Sequence, residues 1–410
     1  MNQPQNRTIR YALAGFCGLA LLLIIAWPAL RESPPPSPDL PPVKAVTVSP
    51  HAAPFTPNND APPETPTNAV AQLATIPTNA ATIYQQAFAL YDALSKEQKY
   101  IVGDWRTNVD PSVTAELCEK IQPICDLVHQ AAAATNCDWG LEPIIYTSLL
   151  PYLNPCRSLA RATVWSAAHC RTDDPSATVD DLVAASRLGQ NVALTPVVIG
   201  HLVNLSIQQT VIDAATMQAS SLAVDPRLVQ LLSGFNYNEE LRRAIVQEAD
   251  ISDRTADAIP TMPPEEMMQM VNAFHSTDPS VQFPPMEPTQ VSAYLRQIAD
   301  LQRQYAQTLE LPEADYRQWL NSLDQIRKTN PFVGEFLSHI EANVTKTQAM
   351  TVYNAMAVAG LVVVQQGTDA LPSRPDPTTG QAFTYNRTAD GFELESTFQF
   401  KGKSMTLSFH

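Results

Sequence analysis

Glycine is scarce: 13 of 410 residues, about 3% where ~7% is usual. So little glycine argues against a turn-rich all-β chain and for long helices. Basic charge is also short, with 26 Lys and Arg against 41 Asp and Glu, a formal net charge of −15. Arg7, Arg10 and Arg31 are the only charges before Glu32, so the remainder carries 23 − 41 = −18. Such a surface excludes nucleic acid as an expected partner, because affinity for it comes from cations that neutralise phosphates. Catalytic signatures are missing as well. There is no HExxH, GxSxG, SxxK, CxxC or CxxCH, and no glycine loop that could cradle a phosphate. No catalytic, cofactor or metal residue is therefore nominated, and no cofactor is expected.

Long apolar runs are absent with one exception. Tyr11 to Leu30, YALAGFCGLALLLIIAWPAL, is a stretch of 20 residues without a charge. As a helix it spans roughly 30 Å, the thickness of a hydrocarbon core. Arg7 and Arg10 precede it, so residues 1–10 are expected in the cytoplasm and the bulk of the chain outside. Signal cleavage after Ala26 or Ala29 would put Ile24 or Trp27 at a position that needs a small residue. Phe16 before Cys17 likewise argues against a lipoprotein. The reading is an uncleaved single-pass signal anchor in the inner membrane, with a periplasmic body.

Proline is abundant and clustered. Residues 33–67 hold 12 prolines in 35 positions, which cannot join a helix or a sheet interior. This is a disordered proline-rich linker, taken as 31–79, able to span on the order of 100 Å when extended. A PxxP ligand is the sharper reading of the same residues, but composition alone accounts for them.

From Ala80 onward, apolar residues recur at helical spacing. Ile83, Phe88, Leu90, Tyr91, Leu94, Tyr100 and Ile101 fit one amphipathic helix. A second starts near Pro111, with a kink or a break expected at Pro123. Others are expected at about 157–171, 177–192, 196–222, 225–234, 237–258, 263–274, 288–310, 313–328 and 333–366. Thr178 with Asp181 resembles a capping box, and Asp225-Pro226, Pro312-Glu313 and Pro331 read as helix starts. After 376 the period becomes two: Phe383, Tyr385, Phe392, Leu394, Phe398 and Phe400 alternate with polar residues, then Met405, Leu407 and Phe409. Turns at Asp390-Gly391 and Lys401-Gly402-Lys403 make this a β-meander. The expected fold is mainly α: helical regions 80–275 and 288–368, about ten helices, with a small antiparallel β-meander at 376–410. Three strands alone are marginal in water, so they should pack on the long helix ending near Gln366.

Three stretches together carry a resemblance. They are Cys137-Asp138-Trp139-Gly140 with LLPYLNPCRSLARATVWSAAHCRTDDPSATVDDLVAASRLGQNVALTPVVIGHLVNLSI, then MAVAGLVVVQQGTDALP, then PDPTTGQAFTYNRTADGFELES. In that order the chain resembles uncharacterised membrane-anchored helical proteins of planctomycete and verrucomicrobial bacteria, which end in a DPxTGxxFxY…DGFxLxS hairpin. Thr378 and Glu395 stand where that group usually has Phe and Tyr, and KSMTLSF adds a strand. The resemblance spans most of 80–398 and implies fold and location only. The tail also resembles a calcium-binding segment of type II secretion pseudopilins, but Asp376-Pro377 and Gly380 more simply form a turn.

Five cysteines fall in a 53-residue window: Cys118, Cys125, Cys137, Cys156 and Cys170. Outside the membrane a disulfide is the first reading. The preferred pair is Cys137–Cys156, leaving Cys170 for Cys118 or Cys125; buried reduced thiols are the alternative. Cys118, Cys125 and His129 share a helix face at i, i+7 and i+11. The ~10 Å rise between the two thiols is too long for one zinc ion. His129, His169, His201, His275 and His339 each stand singly on helices, the pattern of hydrogen-bonded core or surface residues. Glu239, Glu240, Arg242, Arg243, Glu248 and Asp250 read as a solvated helix face. Met267, Met268 and Met270 read as core filling before a binding stripe. The functional expectation is a binding or scaffold module with an envelope protein partner. A hydrolase-like enzyme with an unfamiliar site, or a secretion or pilus accessory, stands as the alternative.

Overall fold

The computed structural model describes residues 79–140, 150–222, 225–273, 284–309, 311 and 313–410. The predicted anchor at 11–30 and the linker up to residue 78 lie outside the described residues. The described chain is mainly helical and ends in a small antiparallel sheet.

The first predicted helix is two. α1 (Ala80–Asp92) is capped by Asn79, whose side chain accepts from the Ala81 N–H at 3.1 Å. α2 (Lys96–Val102) starts at Ser95, which forms a reciprocal capping box with Gln98. That box satisfies two orphan amides and favours a new helix start over continuation. Leu90 and Tyr100 are accordingly not core residues; Tyr100 is 77% exposed. α3 (Pro111–Ala132) runs unbroken through Pro123. It is followed by α4 (Leu153–His169), α5 (Pro175–Ala193), α6 (Val198–Met217), the short α7 (Ala219–Leu222) and α8 (Pro226–Ser233). Asp225 caps α8 as its sequence implies, accepting from Arg227 N–H at 2.9 Å.

α9 (Tyr237–Ala258), α10 (Pro264–Ala273), α11 (Pro288–Thr308), α12 (Glu313–Ser322) and α13 (Asp324–Thr329) lead to α14 (Pro331–Gln366). The proline-rich break expected at 276–289 lies mostly outside the described residues, yet α9 and α11 on its two sides pack together. Ser252 donates to Gln302 at 2.7 Å, Ser292 to the Ala256 carbonyl at 2.7 Å, and Arg303 meets Asp250 and Asp253. Met267 and Met270 are buried in the core beside this seam, with Met268 packed against it. The methionines fill space there.

Two helices are interior. Sixteen of the 20 residues of α6 are buried, so it is enclosed on nearly every side. Glu341–Gln366 of α14 is the one described helix long and apolar enough to cross a membrane, and it too is mostly buried inside the protein.

The sheet packs on α14. β1 (Thr384–Arg387), β2 (Phe392–Phe400) and β3 (Lys403–Phe409) form a meander in that order. Lys401 and Gly402 both have positive φ, 51° and 75°, as a two-residue type I′ hairpin requires. The docking point is Gly360, where an added Cβ would lie 2.0 Å from Phe409 Cζ. Phe409 is buried and stacked on Phe392 with centroids 4.7 Å apart, so the ring cannot simply swing away. Gly360→Ala is expected to destabilise the protein by about 1–3 kcal/mol through overpacking. Thermal unfolding would check this, and an unchanged Tm would refute the docking geometry.

Candidate functional site

The cysteines do not pair as preferred. Cys118 of α3 is bonded to Cys170, the residue that ends α4, with Cα atoms 5.6 Å apart. Cys137 and Cys156 are free thiols, as is Cys125. The reason is the packing of α3 against α4. It brings Cys118 to Cys170, and one further step along both helices it brings Cys125 to Ser166 and Thr163. Burial pushes the Cys125 and Cys137 thiols up to about 12 and Cys156 well above its ordinary value. Thiols in such surroundings are poor nucleophiles. Cys137 and Cys156 flank an aromatic stack instead: Trp139 lies on Tyr152 at 4.1 Å and beside Tyr84 at 6.0 Å.

His129 is not a metal ligand partner of those thiols. Its Nε2 sits 2.7 Å from Oδ1 of Asp181, which is fully buried, and Arg171 Nε lies 3.7 Å from Oδ2. At 2.7 Å the imidazole and the carboxylate attract as an ion pair. Contact with Asp181 holds His129 above its ordinary value, against the opposing effect of burial. The predicted Thr178–Asp181 capping box is therefore not formed. Asp174 caps α5 by accepting from Ala177 N–H at 3.0 Å, and Thr178 donates to the Arg171 and Asp174 carbonyls. Asp181 faces inward because a neutralising partner waits there on α3.

A second buried polar chain crosses the interior helices. His201 Nε2 lies 3.0 Å from Thr347 Oγ1 and its Nδ1 lies 3.5 Å from Glu240 Oε2. Asn204 donates to Glu240 at 2.9 Å, Gln208 to Asn204 at 2.9 Å, and Ser186 to Gln208 at 2.7 Å. These six side chains come from α14, α6, α9 and α5, and hydrogen bonds link them except at His201 Nδ1, which meets Glu240 as a charge contact only. Glu240 thus leaves the solvated face, on which Glu239, paired with Arg242 at 2.6 Å, Arg243 and Asp250 lie as expected. His169 Nε2 lies 2.7 Å from the Trp105 carbonyl. His275 and the side chain of His339 lie outside the described residues.

Glu248 also turns inward, accepting from the Val198 N–H at the start of α6. Burial pushes its carboxyl from 4.5 up to about 7, and that hydrogen bond only partly opposes it. The folded state then holds the proton more tightly than the unfolded chain. Stability is expected to fall as pH rises from the unfolded value through about 7. The loss should be on the order of 1–3 kcal/mol, given partial solvent screening. Glu248→Gln keeps an acceptor without the charge, so its denaturation midpoint should lose that part of the slope between pH 4.5 and 8. An identical slope in both proteins would refute the assignment.

At the tail, Asp376 is a turn anchor. It accepts from Thr378 N–H at 2.8 Å and from the Thr378 and Ser396 hydroxyls, tying the turn to the β2 bulge. Among the described residues no group of three His, Cys, Asp or Glu is placed to hold a metal ion.

Among the described residues, two arginines of α4 stand without an acidic partner. Arg157 and Arg161, one helical turn apart, are half-buried, and Arg157 Nε is buried without an acceptor. Five arginines with described side chains are half-buried. Arg171 donates to Gln122, Arg242 to Glu239, and Arg303 to Asp250 and Asp253. Among the described residues Arg157 and Arg161 alone have no such partner. Burial, with Arg161 beside it, pushes the Arg157 guanidinium down to about 10. Next to them, Tyr91 bonds Ser158 and carries Lys99 Nζ over its ring at 5.7 Å. α1, α2 and α4 thus build a basic, aromatic corner on an acidic protein, and it is the candidate site. The sequence signal was available: α4, LNPCRSLARATVWSAAH, contains no acid to pair with its two arginines. No protein-family model matches the chain, and no curated protein or solved structure is similar to it.

Proposed function

We propose that this protein is a single-pass inner-membrane protein that presents a helical binding module in the envelope, acting as a scaffold for another envelope protein. The observation that carries the binding reading is an asymmetry in its polar groups. The groups that catalysis would draw on, His129 with Asp181 and His201 with Glu240, face one another as charge pairs at 2.7 and 3.5 Å. The half-buried arginines of α4 are left without a partner at the surface. Location is supported by the apolar run at 11–30, the flanking arginines and the proline-rich tether. The resemblance to membrane-anchored helical proteins points the same way.

The test is in-cell crosslinking of the full-length protein beside a version lacking residues 33–67. A stable envelope partner, captured by the full chain and lost when the tether is shortened, is the expected result. No partner in either form would overturn the scaffold reading in favour of an enzyme.

A further inference from the structure

We infer that Arg157 and Arg161, with Lys99 across the Tyr91 ring, form a receptor for carboxylate side chains on an acidic peptide segment of the partner protein. The inference rests on the binding-module reading above and names the chemistry its partner must carry.

A guanidinium taken partly out of water with no acceptor is unfavourable, and a second one a turn away on the same helix adds repulsion. In a chain with 41 acidic residues, every other half-buried arginine with a described side chain has found an acceptor. The acid at this corner, Asp92, is already engaged 3.6 Å from Lys99. A carboxylate brought by a partner would supply the missing acceptor. Guanidinium is planar and presents paired donors that match a carboxylate fork, and the match strengthens in a desolvated setting.

The surroundings favour a peptide over a small anion. Tyrosine and arginine are the residue types enriched where proteins meet, and Tyr91, Arg157 and Arg161 stand together here. The net charge of −15 on the whole chain repels polyanions at long range, so attraction must be local to this corner.

The experiment uses the full-length chain in an uncharged detergent and a fluorescein-labelled hexaglutamate peptide, read by fluorescence anisotropy at low salt. The expected result is binding that weakens at least about tenfold in the double variant Arg157→Gln, Arg161→Gln and fades as salt is raised. Arg157→Lys should recover only part of the loss, since an ammonium keeps the charge but not the fork. Because Arg157 is unpartnered in the free protein, Arg157→Gln should leave Tm unchanged or raise it. A fall in Tm would mark a structural role and overturn the proposal. Equal hexaglutamate binding by wild type and double variant would also overturn it. So would inorganic phosphate binding at the pair while hexaglutamate does not. If the double variant still crosslinks the partner as well as wild type does, the scaffold reading stands and this inference fails. If no partner crosslinks although hexaglutamate binds through the pair, the scaffold reading fails instead.

Discussion

Reducing the Cys118–Cys170 bridge is expected to lower stability by about 4 kcal/mol. The bridge closes a loop with a sequence separation of 52, which contains most of α3, all of α4 and the connection between them. In the chain-entropy model the cost of freeing a loop grows with the logarithm of its length, which gives that magnitude. Cys125, Cys137 and Cys156 are already thiols, so among the described residues reductant acts on one bond alone. Denaturant unfolding with and without reductant measures the effect. A Cys118→Ser, Cys170→Ser variant should match the reduced protein and be insensitive to reductant. A difference below about 1 kcal/mol would mean that the α3–α4 packing holds without the bridge.

Removing the Asp181 carboxylate should be as damaging for a different reason. Asp181→Ala leaves His129 and Arg171 facing a fully buried site with no counter-charge. Breaking a buried ion pair costs about 3–5 kcal/mol, and the low end, about 3 kcal/mol, is expected here because His129 and Arg171 keep 33% and 26% of their side chains exposed. His129 is held above its ordinary value chiefly by its bond to Asp181. The stability it lends is therefore fully present below its unfolded value, near 6.5, and is lost as pH rises through its raised folded value. Wild type should become less stable across that window, and Asp181→Ala should not. His129→Gln would separate the two contributions, since it removes the titrating group and leaves Asp181 with Arg171. A variant that keeps the wild-type pH slope would exclude His129 as its source.

Most helix positions were legible because apolar spacing and start signals are local. Pro226 after Asp225 and Pro331 after Asn330 begin helices where their side-chain chemistry says they should. The meander was legible for the same reason: alternation and the Lys401-Gly402 turn act over a few residues. The break at Ser95 was legible too, as an S-x-x-Q box, but the apolar pattern running across it masked the signal. The candidate site was less readable. Two arginines a turn apart on an acid-free helix stand out only once it is known that no acid among the described residues reaches them.

The sequence by itself determined the helices, the strands and the oxidisable and ionisable inventory, because spacing, caps and turn residues depend on near neighbours. Only the tertiary structure decided which thiols meet, that Asp181 and Glu240 turn inward to histidines, and that Arg157 and Arg161 stay unpaired. Those outcomes depend on helices far apart in the chain, whose relative register is set by how their buried faces pack together, and local chemistry carries no record of it.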